Sequence, residues 1–180
     1  MTTFIAFLRG INVGGKGLIK MERLREIFSK LGFGNVRTHI NSGNVIFEAE
    51  GAPAKWIGKI EKALATELKR PVSVMVRTGA DLKRLIAGNP FKKEKSIDHA
   101  RLLVMFLSGA APKDGMKKLG VIDSGDDRFH VAGSEVYLYC PNGVHESKLA
   151  RMAYDKVFGV SATGRNWNTV NKLCELASAL

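Results

Sequence analysis

Cysteine is scarce in this chain: Cys140 and Cys174 are the only two. Two thiols this far apart make neither a disulfide framework nor the paired spacing of a zinc ribbon. They fit a protein kept reduced, which points to the cytoplasm. Long apolar runs are also missing. None approaches the roughly 20 residues that a membrane-spanning helix needs, so no membrane partner is expected. Met1-Thr2-Thr3 brings no basic segment of the kind that opens a signal peptide. The four histidines, His39, His99, His130 and His145, are scattered. None stands at metal-ligand spacing from another His or Cys, so neither a metal nor a cofactor is expected.

Acidic residues are under-represented. Against 28 Lys and Arg there are 17 Asp and Glu, which gives a net charge of +11 and a pI near 9.8. Such a surplus favours polyanions or phosphorylated ligands as partners. It is uneven, since residues 1–90 carry 15 basic and 7 acidic side chains, and residues 91–180 carry 13 and 10. The remaining composition, 45% hydrophobic and 25% charged, is that of a globular protein with a real core. At 180 residues it can form one domain or two small ones.

The stretch that organises the first half is residues 10–17, Gly-Ile-Asn-Val-Gly-Gly-Lys-Gly. It joins an apolar strand (Phe4, Ile5, Ala6, Phe7, Leu8) to an amphipathic segment that starts near Lys20. A strand, a glycine-rich loop and a helix in that order aim backbone N–H groups at an anion. Gly10, Gly15 and Lys16 match the spacing of a phosphate-binding P-loop, but Gly17 replaces the Ser or Thr that would hold Mg²⁺. No apolar strand ending in Asp supplies the second metal-holding element; Val121-Ile122-Asp123 is a poor substitute. The pattern therefore argues against a nucleotide triphosphatase. It leaves two readings, a simple connecting turn and an anion loop of another kind.

Further along, Met21, Leu24, Ile27, Phe28 and Leu31 recur at helical spacing, and Gly32 follows as a C-terminal cap. Residues 36–40 alternate as a strand, Asn41-Ser42-Gly43-Asn44 is turn chemistry, and residues 45–48 return. Pro53 suits the start of a helix that carries Ile57, Ile60, Leu64 and Leu68. Pro71 ends it, and Val72, Val74 and Val76 alternate as a strand. The order is β-α-β-β-α-β, the ferredoxin-like plan. A short helix over 81–88, broken at Asn89-Pro90, precedes the solvated run Lys92-Lys93-Glu94-Lys95. The second half reads as a strand over 101–107, a helix over 112–119 and a hairpin of 128–132 with 135–140. Helices over 147–158 and 167–180 complete it. The expected fold is α+β, with two ferredoxin-like (βαββαβ-type) halves built on antiparallel sheets. The expected division is 1–88, and 89–180 with the order βαββαα.

A ferredoxin-like sheet has one face that its helices do not cover. Alternation puts Ile5, Phe7, Arg9, Arg37, His39, Ile46, Glu48, Ser73, Met75 and Arg77 there. Arginines and a histidine beside Phe7 suit base stacking, whereas Ile5, Phe7, Ile46 and Met75 suit cover by other protein. Phe47, the aromatic of the Gly43–Phe47 run, falls on the helix side by parity.

Near the C-terminus, Arg165 beside a helix start makes an anion pocket plausible. Thr163 or Asn166 would cap that helix, and Trp167 reads as a core anchor. Ser147 reads as a cap. His39 and His145 are the candidate general bases, but nothing in the sequence pairs either with a nucleophile, so no catalytic residue is assigned.

Three motifs taken together carry a family resemblance. They are Leu8-Arg9-Gly10-Ile11-Asn12-Val13-Gly14-Gly15 with Met21 and Leu24, Asn41-Ser42-Gly43-Asn44-Val45-Ile46-Phe47, and Arg165-Asn166-Trp167-Asn168-Thr169-Val170. They resemble the bacterial proteins grouped as domain of unknown function 1697. The resemblance implies a cytoplasmic bacterial protein of two ferredoxin-like halves, and it implies no activity. The functional expectation is a cleft in which Arg9, Asn12, Lys16, Asn41, Asn44, Arg165 and Asn168 meet an anionic ligand, a nucleotide, phosphorylated small molecule or nucleic acid. The alternatives are a structural or oligomeric protein-interaction module, a homodimer among them, and a phosphate-ester or nucleotide-processing enzyme.

Overall fold

The uncharged run Thr2–Leu8 forms the first strand, β1, and its side chains part to two faces as the pleat requires. In the computed structural model, which describes residues 1–15 and 18–180, the chain divides into two units. One is Met1–Lys83 with Leu173–Leu180, the other Arg84–Lys172.

In the first unit β1 is followed by α1 (Met21–Lys30), β2 (Gly34–Thr38), β3 (Asn44–Ala49), α2 (Ile57–Leu68) and β4 (Val74–Thr78). The sheet order is β2-β3-β1-β4 and every pairing is antiparallel. This is the ferredoxin-like arrangement that the residue pattern predicts. The apolar stripes do the work: Phe4, Ala6 and Leu8 of β1 and Val45 and Phe47 of β3 pack with Leu24, Ile27 and Phe28 of α1 and Ile60 and Leu64 of α2. Phe47 is at the centre of an aromatic cluster, 4.7 Å from Phe33 and 5.3 Å from Trp56 between ring centroids. Each buried ring contributes about 1.5–3 kcal/mol. Gly32 turns out of α1 at φ 88°, as expected of a capping glycine. Pro53 opens a short 3₁₀ turn just before α2.

The opposite face of this sheet is closed to solvent as well. Ile5, Phe7, Ile46 and Met75 are at most 1% exposed, which leaves no open apolar platform for stacked bases.

The second unit repeats the plan with β5 (Leu102–Leu107), α4 (Lys113–Gly120), β6 (Arg128–Ala132), β7 (Glu135–Tyr139), α5 (Tyr154–Phe158) and β8 (Ala162–Asn166), in the sheet order β6-β7-β5-β8. Strand β8 is absent from the sequence reading, which has only helices after the hairpin. Ala162-Thr163-Gly164-Arg165-Asn166 shows no apolar alternation. Pairing along β5, from Leu103 with Asn166 to Leu107 with Ala162, makes it a strand. The expected helix over 147–158 shrinks to α5. The Ser147 hydroxyl caps only a turn, accepting from the Ala150 N–H at 2.9 Å.

Two further helices, α3 (Gly79–Ala87) and α6 (Trp167–Ser178), follow the two sheets. At the start of α3, Asp81 accepts the Thr78 backbone N–H at 2.7 Å, and the Thr78 hydroxyl accepts the Asp81 N–H at 3.0 Å. Asn166 caps α6 by accepting the Thr169 N–H at 2.8 Å, and Trp167 is buried, both as the sequence suggests. Among the described residues no helix is long and apolar enough to cross a membrane.

The first strand of each sheet ends in the same way. The Leu8 N–H donates to the Gly43 carbonyl at 2.8 Å, and the Leu107 N–H donates to that of Ser134 at 2.8 Å. One residue on, Arg9 donates to Ser73 at 3.0 Å and Ser108 to Ser161 at 2.8 Å. Gly43 holds φ 78°, and a Cβ there would come within 2.9 Å of the Ile11 Cβ and 3.0 Å of the Leu8 Cβ. The Gly43→Ala variant should therefore lose about 2–4 kcal/mol, from the left-handed backbone and overpacking together. Chemical denaturation checks this; a loss below about 0.5 kcal/mol would mean that the turn relaxes freely.

Candidate functional site

The long connection after β1 is held by the side chain of Asn12. Its Nδ2 donates to the carbonyl of Ile19 at 3.0 Å and to that of Asn41 at 2.8 Å. Its Oδ1 accepts the Ile19 N–H at 2.8 Å. The two bonds with Ile19 close the loop on itself, and the bond to Asn41 ties it to the hairpin turn. Asn12 adopts φ 53°, a left-handed conformation that asparagine tolerates better than most residues. The register supports the same junction, because Phe7 lies opposite Asn44, so Arg9 and Gly10 leave the sheet at the end where the hairpin turns.

Asn44 is fully buried. Its Nδ2 donates to the His39 carbonyl and to the Ser42 hydroxyl, both at 3.1 Å, and so shapes the turn from inside. Asn41 is exposed and gives its carbonyl to Asn12. Arg9 is half-buried. Lys16 lies outside the described residues.

Arg70 is a participant that the sequence reading missed. Its Nη2 donates to the Gly10 carbonyl and its Nη1 to the Pro71 carbonyl at 3.4 Å. Its Nε is buried without an acceptor among the described residues. In the sequence it looks only like the end of a helix before Pro71. The signal lay in the topology: β4 pairs with β1, so a residue just ahead of β4 arrives beside the residue just after β1.

An open cleft of about 620 Å³ borders this junction, lined by Asn12, Leu18, Ile19, Lys20, Met21, Glu22 and Asn41. It lies at the start of α1, which no side chain caps. The exposed Glu22 carboxylate stands there and is held below the usual carboxylate range. Its own backbone N–H is the main cause, with Arg25 and Lys20 adding to it. An uncapped helix start favours negative charge, and Glu22 supplies one there. Leu18 lines the cleft, and two exposed apolar residues, Val13 and Ile40, adjoin its lining residues Asn12 and Asn41 in the chain. Val13, Leu18 and Ile40 are 62%, 69% and 49% exposed, and Ile40, a β-branched residue, holds φ 50°, a conformation costing about 1–2 kcal/mol.

Arg165 and Asn168 belong to the second unit. Arg165 is buried on β8, and its Nη1 donates to the Thr163 hydroxyl and the Gly164 carbonyl, both at 2.8 Å. Burial brings its pKa down to about 10. Asn168 is exposed in the first turn of α6. Of the candidate bases, His39 is half-buried in the hairpin turn and His145 is exposed in the second unit. Cys140 is buried and Cys174 half-buried; burial raises both thiols, which makes them poor nucleophiles. Asp123, Asp126 and Asp127 line a separate small cleft. Among the described residues no group of three or more His, Cys, Asp or Glu is arranged to hold a metal.

Residues 1–137 match the family described as protein of unknown function (DUF1697). The chain belongs to this family. The matched span contains the glycine loop, the hairpin and Arg70, and ends before Arg165. The solved structure of the conserved bacterial protein SP0830 from Streptococcus pneumoniae is similar, with a TM-score of 0.79 over 98% of each chain at 22% identity. At that identity the likeness speaks for the fold alone. No curated protein matches the chain.

Replacing Asn12 by Ala leaves three backbone groups without their partner. The cost should be about 1–3 kcal/mol, and amide exchange at Ile19 should accelerate. Exchange at Ile19 equal to that of the parent protein would show that the loop closes without this side chain.

Proposed function

We propose that residues 9–15 and 18–20, the hairpin turn at 39–43 and the start of α1 form a binding cleft for an anionic, phosphate-containing ligand, a nucleotide in the first instance. The observation that carries this reading is a difference between two equivalent connections. From β5 to α4 the chain needs only residues 108–112, whereas from β1 to α1 it uses residues 9–20. The fold requires no more of the second connection than of the first, and loops longer than their task are where binding functions gather. The extra length is glycine-rich, and Asn12 ties it to Ile19 and to Asn41 of the hairpin turn.

The chemistry of the cleft suits a ligand with two parts. Lys20 and the uncapped start of α1 supply positive potential for a phosphate. Leu18, with Val13 and Ile40 next to Asn12 and Asn41 in the chain, supplies apolar surface for a ring. Lys16, a further cation in the same loop sequence, lies outside the described residues. Asn12 and Asn44 act as positioning groups, since their amide protons are already donated within the fold. The free thiols of Cys140 and Cys174 suit a reducing, cytoplasmic setting. The reading rests on the first unit alone.

Calorimetric titration with AMP, ATP and inorganic phosphate tests it. Binding should weaken as salt rises from about 50 to about 200 mM, and Lys16→Ala and Lys20→Ala should each weaken it about tenfold. Affinity unchanged in both variants would contradict the proposal.

A further inference from the structure

A second surface of the first unit lies away from the glycine loop, in the trough between α1 and α2. Its volume is about 500 Å³. The floor is apolar: Ile27 and Leu31 come from α1 and Ala63 from α2. The rim is basic, with Lys30 on one side and Lys59 and Lys62 on the other, all exposed. Lys59, Lys62, Ala63 and Thr66 follow the i, i+3, i+4, i+7 row of one helix, so the trough runs along a helix face and is not a hole at its end.

The charge of this trough is largely uncompensated. Its one acidic side chain, Glu67, is taken by Arg23 through a two-pronged pair, Nε to Oε1 at 2.9 Å and Nη2 to Oε2 at 2.7 Å. That pairing, with Lys69 and Lys30 nearby, holds the Glu67 carboxyl below its usual range. Among the described residues Lys30, Lys59 and Lys62 have no carboxylate within ion-pair distance. An amphipathic helix is normally laced by pairs of opposite sign on its outer face; here two adjacent helices present cations on both banks of an apolar strip.

We infer that this trough is a docking site for an acidic amphipathic helix of a protein partner. The apolar face of such a helix would lie on Ile27, Leu31 and Ala63, and carboxylates on both its flanks would meet Lys30, Lys59 and Lys62. A helix fits a trough between two helices because its side-chain ridge sits in the groove that theirs leave. The basic banks select against neutral and basic helices, which would leave the lysines desolvated and unpaired.

The experiment uses the full chain and three synthetic helical peptides of about four turns. The first has a leucine strip flanked by glutamates, the second replaces the glutamates by glutamine, and the third replaces the leucines by serine. Fluorescence anisotropy should show binding of the first, at least tenfold weaker binding of the other two, and a tenfold loss for the first with a Lys59→Glu/Lys62→Glu variant. Both sites are exposed, and an unchanged melting temperature verifies that the variant folds. Equal binding of the glutamate and glutamine peptides, or binding unaffected by the double substitution, overturns the inference. So does a trough that binds duplex RNA or anionic vesicles through these lysines but not the acidic peptide.

Discussion

The amide of Asn12 is the contact on which the functional end of this molecule depends. Three hydrogen bonds from one side chain hold the ends of the loop together and join it to the hairpin. A glycine-rich connection left to itself has a large conformational entropy and no preferred shape. The Asn12 clamp supplies the enthalpy that fixes part of it, and Arg70 adds a bond to the Gly10 carbonyl from the other side. Gly43 completes the junction because only a residue without a Cβ lets the hairpin approach Ile11 and Leu8 so closely. The cleft beside α1 exists because these groups agree.

The two sheets show what is scaffold and what is addition. Both have the same strand order, and in both the end of the first strand donates to the facing hairpin turn and to the segment that precedes the fourth strand. Those bonds are therefore the minimum that the ferredoxin-like plan needs. What the first unit carries beyond that minimum is the long loop, its clamp and the strained, exposed Ile40. Strain in a β-branched residue at the surface has no packing benefit to offset it, and such residues gather where a ligand is met.

Much of this was legible in the sequence, for definite reasons. Helical stripes such as Leu24, Ile27 and Phe28, and the turn residues Asn41 to Asn44, announce their conformation locally, and the first unit follows them. Strand β8 did not announce itself, because Thr163, Gly164 and Arg165 carry no period and owe their extended form to β5. The pairing of the glycine loop with the hairpin could be read from strand order, but the donor that makes it could not. Asn12 looked like a ligand donor and serves as a clamp; Asn44 also looked like a ligand donor, and it is buried with its amide given to His39 and Ser42. Arg70 was invisible because its role comes from the adjacency of β4 to β1, a property of the sheet and not of its neighbours in the chain. Lys20, at the cleft, was legible only as the start of a helix.

The central claim is that the cleft at the start of α1 receives phosphate-bearing ligands. Amide chemical-shift mapping of the full chain, titrated with AMP and separately with inorganic phosphate, tests it most directly. The account predicts that phosphate moves the amides of Lys20, Met21 and Glu22 in a saturable way, and that AMP additionally moves those of Val13, Leu18 and Ile40. Shifts confined to the lysine-rich faces of α2 and α4, or no saturable shift at all, would contradict it.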